Sequence, residues 1–180
     1  SGAWGADHTT PHLLATSGKR MIVAWELAEG GWGIIGIGEN GRKIWSEKRG
    51  AKVLAADEQY VYAVPEAFGN LPLPPSIIRL DSATGDYRPF TRDGKTLPFE
   101  LRLENLFDTS SLGILKTMTV GKKYIALGYE ANAIVLLDKT HAGFVRQLNL
   151  PTPTALTFSK DGELYAISSN QPSLSNFSIF

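Results

Sequence analysis

The 180-residue chain is 43% apolar and balances eighteen basic against eighteen acidic side chains. That supplies a real core but no net field to draw in nucleic acid or an anionic membrane surface. With no cysteine, disulfides, zinc–thiolate centres and cysteine nucleophiles are excluded together. No stretch approaches the roughly 18 consecutive apolar residues of a membrane span. The start, Ser1-Gly2-Ala3-Trp4, lacks the basic-then-apolar layout of a signal peptide, so a soluble chain without membrane insertion is expected.

Residues 1–10 form an N-terminal segment in which Trp4 to His8 is a candidate closing strand. From residue 11 a repeat sets in. Four apolar runs each follow a polar turn: Met21-Ile22-Val23-Ala24-Trp25 after Gly18, Tyr60-Val61-Tyr62-Ala63-Val64 after Asp57, Tyr124-Ile125-Ala126-Leu127 after Gly121, and Leu164-Tyr165-Ala166-Ile167 after Asp161. With Met21, Tyr60, Tyr124 and Leu164 taken as equivalent, subtraction spaces them by 39, 64 and 40 residues. One insertion explains the long interval.

Each run is the second strand of a predicted four-stranded unit. First strands are read at His12 to Ala15, Lys52 to Ala55, Ile114 to Met118 and Ala155 to Phe158. Third strands are read at Gly33 to Ile37, Ser76 to Leu80, Ala133 to Leu137 and Asn176 to Phe180. Three of these end in a turn with an acid or Asn and a Gly: Glu39-Asn40-Gly41, Asp81 to Gly85, and Asp138 to Gly143. Glycine accepts the positive φ of tight hairpins, and Asp or Asn bonds the turn backbone with its side chain. Fourth strands are read at Lys43 to Trp45, Tyr87 to Phe90 and Phe144 to Leu148. The insert, residues 93–112, contains a Leu97–Leu103 alternation that reads as an extra strand, able to extend the outer edge of the second unit, and a helical turn at Glu104 to Asp108.

The expected fold class is therefore all-β: β-propeller blades, about four, of four-stranded antiparallel sheets. The blades are placed at about 11–49, 50–92, 113–150 and 151–180, the last incomplete. Tyr60-Val61-Tyr62-Ala63 followed by Leu80-Asp81-Ser82-Ala83-Thr84-Gly85 resembles the PQQ-like repeat, and Pro153 to Ala166 resembles the start of an NHL or YncE-like blade. The resemblance implies a propeller and leaves function open, because such repeats serve enzymes, chaperones and binding modules alike. The aromatic that ends a PQQ repeat is Trp45 in the first unit but Phe90 and Leu148 later. That departure argues against quinone binding, and no cofactor is expected.

Gly36-Ile37-Gly38-Glu39-Asn40-Gly41 matches a dinucleotide fingerprint, but the following residues lack the helix that the phosphate needs. The hairpin reading is preferred. Asp7, His8 and His12 lack a clear further ligand, so no metal site is expected, and His141 falls in an exposed turn. Part of the tryptophan set, Trp4, Trp25, Trp32 and Trp45, is expected to pack between blades. No motif marks a catalytic residue. A polar side chain does recur just after each aligned strand, at Glu26, Glu66, Glu130 and Asn170, with Trp32 and Tyr129 nearby. Together these six are the expected ligand-binding residues.

Acids beside rigid aromatics suit a glycan or protein ligand. The leading expectation is a non-enzymatic binding or scaffold module, secreted or periplasmic. The alternative is part of a propeller enzyme (hydrolase, lyase or quinoprotein oxidoreductase) using Glu26, Glu66 or Glu130. Fewer than four complete blades also calls for a partner: a second copy in a homodimer, a larger parent propeller, or closure by the N-terminal segment.

Overall fold

A computed structural model describes residues 9–27, 32–65, 75–168 and 174–177. The candidate closing strand, Glu66 and Asn170 lie outside them. Seventeen strands and a single 3-10 turn, Leu103–Asn105, make up the described secondary structure. The first blade is β1 (Thr9–Ser17), β2 (Arg20–Leu27), β3 (Trp32–Ile37) and β4 (Lys43–Glu47), hydrogen-bonded in that order. The third repeats it with β11 (Leu115–Val120), β12 (Tyr124–Tyr129), β13 (Ala133–Asp138) and β14 (Phe144–Asn149). In the fourth, β15 (Pro153–Phe158), β16 (Leu164–Ser168) and β17 (Leu174–Phe177) form a three-stranded sheet among the described residues.

The second blade departs from the pattern. After β5 (Ala51–Ala56), β6 (Tyr60–Pro65) and β7 (Ser76–Asp81), the expected fourth strand at Tyr87 to Phe90 is reduced to one bridge, Leu80 with Tyr87. The chain detours through a small hairpin, β8 (Thr91–Arg92) and β9 (Lys95–Thr96), and its outer strand is β10 (Glu100–Arg102), from the insert. The next residue, Leu103, donates its N–H to the Pro75 carbonyl at 2.9 Å. Pro89 accounts for the interruption: it has no N–H for a ladder and restricts the residue before it.

The chain divides into two compact units, Ser1–Pro72 with Ile78–Arg88, and Leu73–Ile77 with Pro89–Phe180. In the first unit, Ile22, Ala24, Ile34 and Trp45 of the first blade are buried with Leu54, Val61, Ala63, Ile78 and Leu80 of the second. Burying such a face stabilises by about 25 cal/mol per Å² of apolar area, which a lone sheet cannot collect. Trp45 closes this seam: its indole N–H donates to the Ser82 carbonyl at 2.9 Å, and its ring lies on Gly85. A Cβ there would sit 2.8 Å from the ring, and φ is +78°, so both space and backbone call for glycine. Trp45 thus packs between blades as expected.

In the second unit, Ala126, Ile134, Leu136 and Leu150 pack on Leu164 and Ala166 of the fourth blade. The insert's Phe107 packs edge-on against Tyr129, centroids 6.3 Å apart, and against Phe144 at 5.8 Å. The hairpin turns use the expected carboxylates. Asp57, Asp81 and Asp138 each accept two backbone N–H groups, from Gln59 and Tyr60, Ala83 and Thr84, and Thr140 and His141. At Asp81, desolvation works upward, but these N–H groups and Arg88 outweigh it and hold the carboxyl below its usual range. Among the described residues, no helix is long and apolar enough to cross a membrane.

Candidate functional site

The ladders place the site residues through a feature that recurs in all four blades. A β-bulge interrupts the first strand between Pro11 and Leu13, Ala51 and Val53, Leu115 and Thr117, and Pro153 and Ala155. The residues opposite its near edge are Trp25, Pro65, Tyr129 and Ser168, which are therefore structurally equivalent. The next residues in sequence are Glu26, Glu66, Glu130 and Ser169. Three glutamates thus hold one repeat position.

This register corrects two details of the sequence alignment. Met21 and Leu164 each lie one residue late relative to Tyr60 and Tyr124, and Asn170 stands one residue beyond the position that the glutamates occupy. Glu26, expected just after the aligned strand, is still inside the ladder, its backbone opposite Thr10 and Trp32. The side chains of Glu26 and Trp32 lie outside the described part, as do Glu66 and Asn170 entirely.

Glu130 is fully described. It sits at the exposed tip of the β12–β13 hairpin, its N–H bonded to the Ile114 carbonyl at 2.9 Å, and its carboxylate meets Lys116 Nζ at 3.4 Å. Both partners are about half exposed, so the pair is worth little to stability and the carboxylate is reachable by a ligand.

Tyr129 differs from expectation. Its side chain is wholly buried, with Phe107 across its ring, because alternation along β12 turns it to the same side as Ile125 and Leu127. It is packed against Phe107 and is not an open stacking surface. Its hydroxyl is buried without a hydrogen-bond partner among the described residues, and desolvation pushes its pKa up. Trp25, at the equivalent position, is partly buried and lies over Gly33. In the third blade, then, a buried aromatic precedes the glutamate, and in the first a partly buried one does.

The dinucleotide-like stretch is a hairpin turn, with Gly38 N–H bonded to the Arg42 carbonyl and Gly41 N–H to the Gly38 carbonyl, each at 2.9 Å. His141 is exposed in its turn, and the side chain of His12 is not described. Among the described residues there is no group of three or more His, Asp or Glu able to hold a metal ion.

No protein-family model matches the chain, and no curated protein does. Solved structures do. BamB from Moraxella catarrhalis, a PQQ-like β-propeller, is 16% identical with a TM-score of 0.58, over 93% of this chain and 41% of that one. The chain thus spans less than half of BamB. Glutaminyl cyclase from Myxococcus xanthus, also a propeller, is 10% identical with a TM-score of 0.54, over 94% and 68% of the two chains. The computationally designed Ika4 protein is 14% identical with a TM-score of 0.56, over 93% and 89%. The architecture is that of propeller blades, and identities this low carry the fold alone.

Proposed function

We propose that the chain is a non-enzymatic binding or scaffold module of secreted or periplasmic location, built from PQQ-like repeats, that presents its second-to-third-strand hairpin ends to a glycan or protein ligand. The observation that carries this is the glutamate after the bulge position in three successive blades, preceded by a buried aromatic in the third and a partly buried one in the first. Carboxylates accept hydrogen bonds from sugar hydroxyls and from cationic side chains, and a ring that is already buried pays no ordering cost on binding. Glu26, Trp32, Glu66, Glu130 and Asn170 are the contact residues, with Tyr129 buried in the strand that leads to Glu130.

The test is a glycan array probed with the full chain and with Glu26→Gln, Glu66→Gln and Glu130→Gln, each checked for folding by circular dichroism. Retention by defined glycans that weakens in the variants is expected. A second reading, part of a propeller enzyme using the same glutamates, draws on the likeness to glutaminyl cyclase. Turnover in an activity screen that disappears in a folded Gln variant would replace the binding reading with this one.

The partner reading rests on three exposed apolar side chains of the first blade. Alternation places Met21 with Val23, and sets Leu14 and Ile44 opposite the seam-facing Leu13, Ala15 and Trp45. Leu14 is 64% exposed, Ile44 46% and Met21 40%, an apolar sheet face of the kind that takes a further blade. A second copy or the rest of a parent propeller is the proposed occupant. Light scattering should give twice the chain mass for the homodimer, whereas a stable monomer would leave the parent propeller.

A further inference from the structure

We propose that Asn40 is a site of spontaneous covalent modification, converting in the folded protein to aspartate and isoaspartate. Of the seven asparagines, only Asn40 is followed by glycine. The reaction starts when the deprotonated backbone nitrogen of the next residue attacks the asparagine side-chain carbon, and any Cβ on that residue crowds the approach. At Asn105, Asn132 and Asn149 the next residues are Leu106, Ala133 and Leu150, all with a Cβ.

Local structure favours the attack. Asn40, Gly41 and Arg42 are all exposed, no atom lies within 4 Å of where a Gly41 Cβ would be, and Gly41 holds a φ of +72°. The Asn40 Oδ1 accepts the Arg42 backbone N–H at 3.0 Å. That donor points at the oxygen on which negative charge develops as the tetrahedral intermediate forms, the arrangement by which a fixed N–H lowers an acyl-transfer barrier. Against it stands the Gly41 N–H bond to the Gly38 carbonyl, 2.9 Å long. It must open before the nitrogen can react, and at an exposed hairpin tip such opening is inexpensive.

In the step itself the Gly41 nitrogen bonds to Asn40 Cγ, the Cγ–Nδ2 bond breaks, and ammonia leaves with the proton lost from Gly41. Water then opens the five-membered imide. Attack at Cγ leaves aspartate, and attack at the main-chain carbonyl leaves isoaspartate, so the net change is asparagine plus water to a carboxylate plus ammonium. Aspartate adds a negative charge beside Glu39, whose carboxylate pairs with Lys19 at 3.2 Å. Isoaspartate adds a backbone methylene to a turn whose register brings Lys43 opposite Ile37 and Trp45 opposite Gly36, so it acts on the ladder that carries Trp45 into the core.

The test incubates the folded full chain at mildly alkaline pH and follows the peptide containing Asn40 by mass spectrometry, with isoaspartyl methyltransferase labelling to count isoaspartate. A parallel sample is unfolded in urea. The expected result is accumulation of an acidic form at Asn40 in the folded sample, faster at higher pH and lost in Asn40→Gln, whose longer side chain closes a six-membered ring far more slowly. A folded chain that stays intact while the urea sample converts would overturn the proposal. So would an acidic form that persists in Asn40→Gln.

Discussion

β4 and β14 occupy the same outer place in the first and third blades, but only β4 sends a large side chain fully inward. Trp45 is 7% exposed and bonded to the Ser82 carbonyl, whereas β14 leaves Phe144 and Val145 46% and 40% exposed and touches the insert through Phe107. An outer strand in this repeat can be anchored by its own aromatic or braced by a neighbouring segment. The glycine pattern follows the first choice, since Gly85 lies directly under the ring that β4 sends inward.

The most damaging change should be Trp45→Ala, which empties the seam and strips the Ser82 carbonyl of its donor. A loss of roughly 3–5 kcal/mol is expected from urea unfolding. Phe144→Ala at the matching strand should cost about 1 kcal/mol or less, and equal losses would erase the contrast between the two strands. Leu103→Ala sharpens the bracing half of the comparison: Leu103 is fully buried within the insert, and about 2–5 kcal/mol should be lost if the insert is structural rather than a loose loop.

Smaller effects separate the two buried tyrosines. Tyr62 donates its hydroxyl to Asp57 Oδ2 at 3.2 Å, so Tyr62→Phe should cost about 1 kcal/mol, while Tyr129→Phe removes a hydroxyl without a described partner and should be neutral or slightly stabilising. Desolvation raises both phenols, helped at Tyr62 by the Asp57 carboxylate. The unfolded phenols ionise near pH 10, about their ordinary value, before the folded ones do. Their stabilisation is thus complete below that pH and declines as pH rises past it. Urea midpoints measured into the alkaline range should fall above about pH 10, and the double variant Tyr62→Phe/Tyr129→Phe should flatten that fall.

Strand-rich segments, Asx turns and glycine-bearing hairpins were readable because each rests on local chemistry: β-branched runs, a carboxylate two residues before an N–H, a glycine at positive φ. The phase of the repeat was not. Apolarity matches Met21 and Leu164 to Tyr60 and Tyr124, but sheets buried on both faces are apolar at consecutive positions, so composition alone does not say which face a residue takes. The ladder with its repeated bulge says so, and it moves the fourth-blade counterpart of the glutamates from Asn170 to Ser169.

By itself the sequence determined that this chain is all-β, repeats near every forty residues and carries one insertion, because period and turn chemistry are local properties. Tertiary structure alone decided that the insert, not Tyr87 to Phe90, edges the second blade, that Trp45 locks onto Gly85, and that the Tyr129 ring is buried against Phe107. Each of those outcomes depends on which distant segment covers a given face, and residues far apart in sequence carry no local signal of that choice.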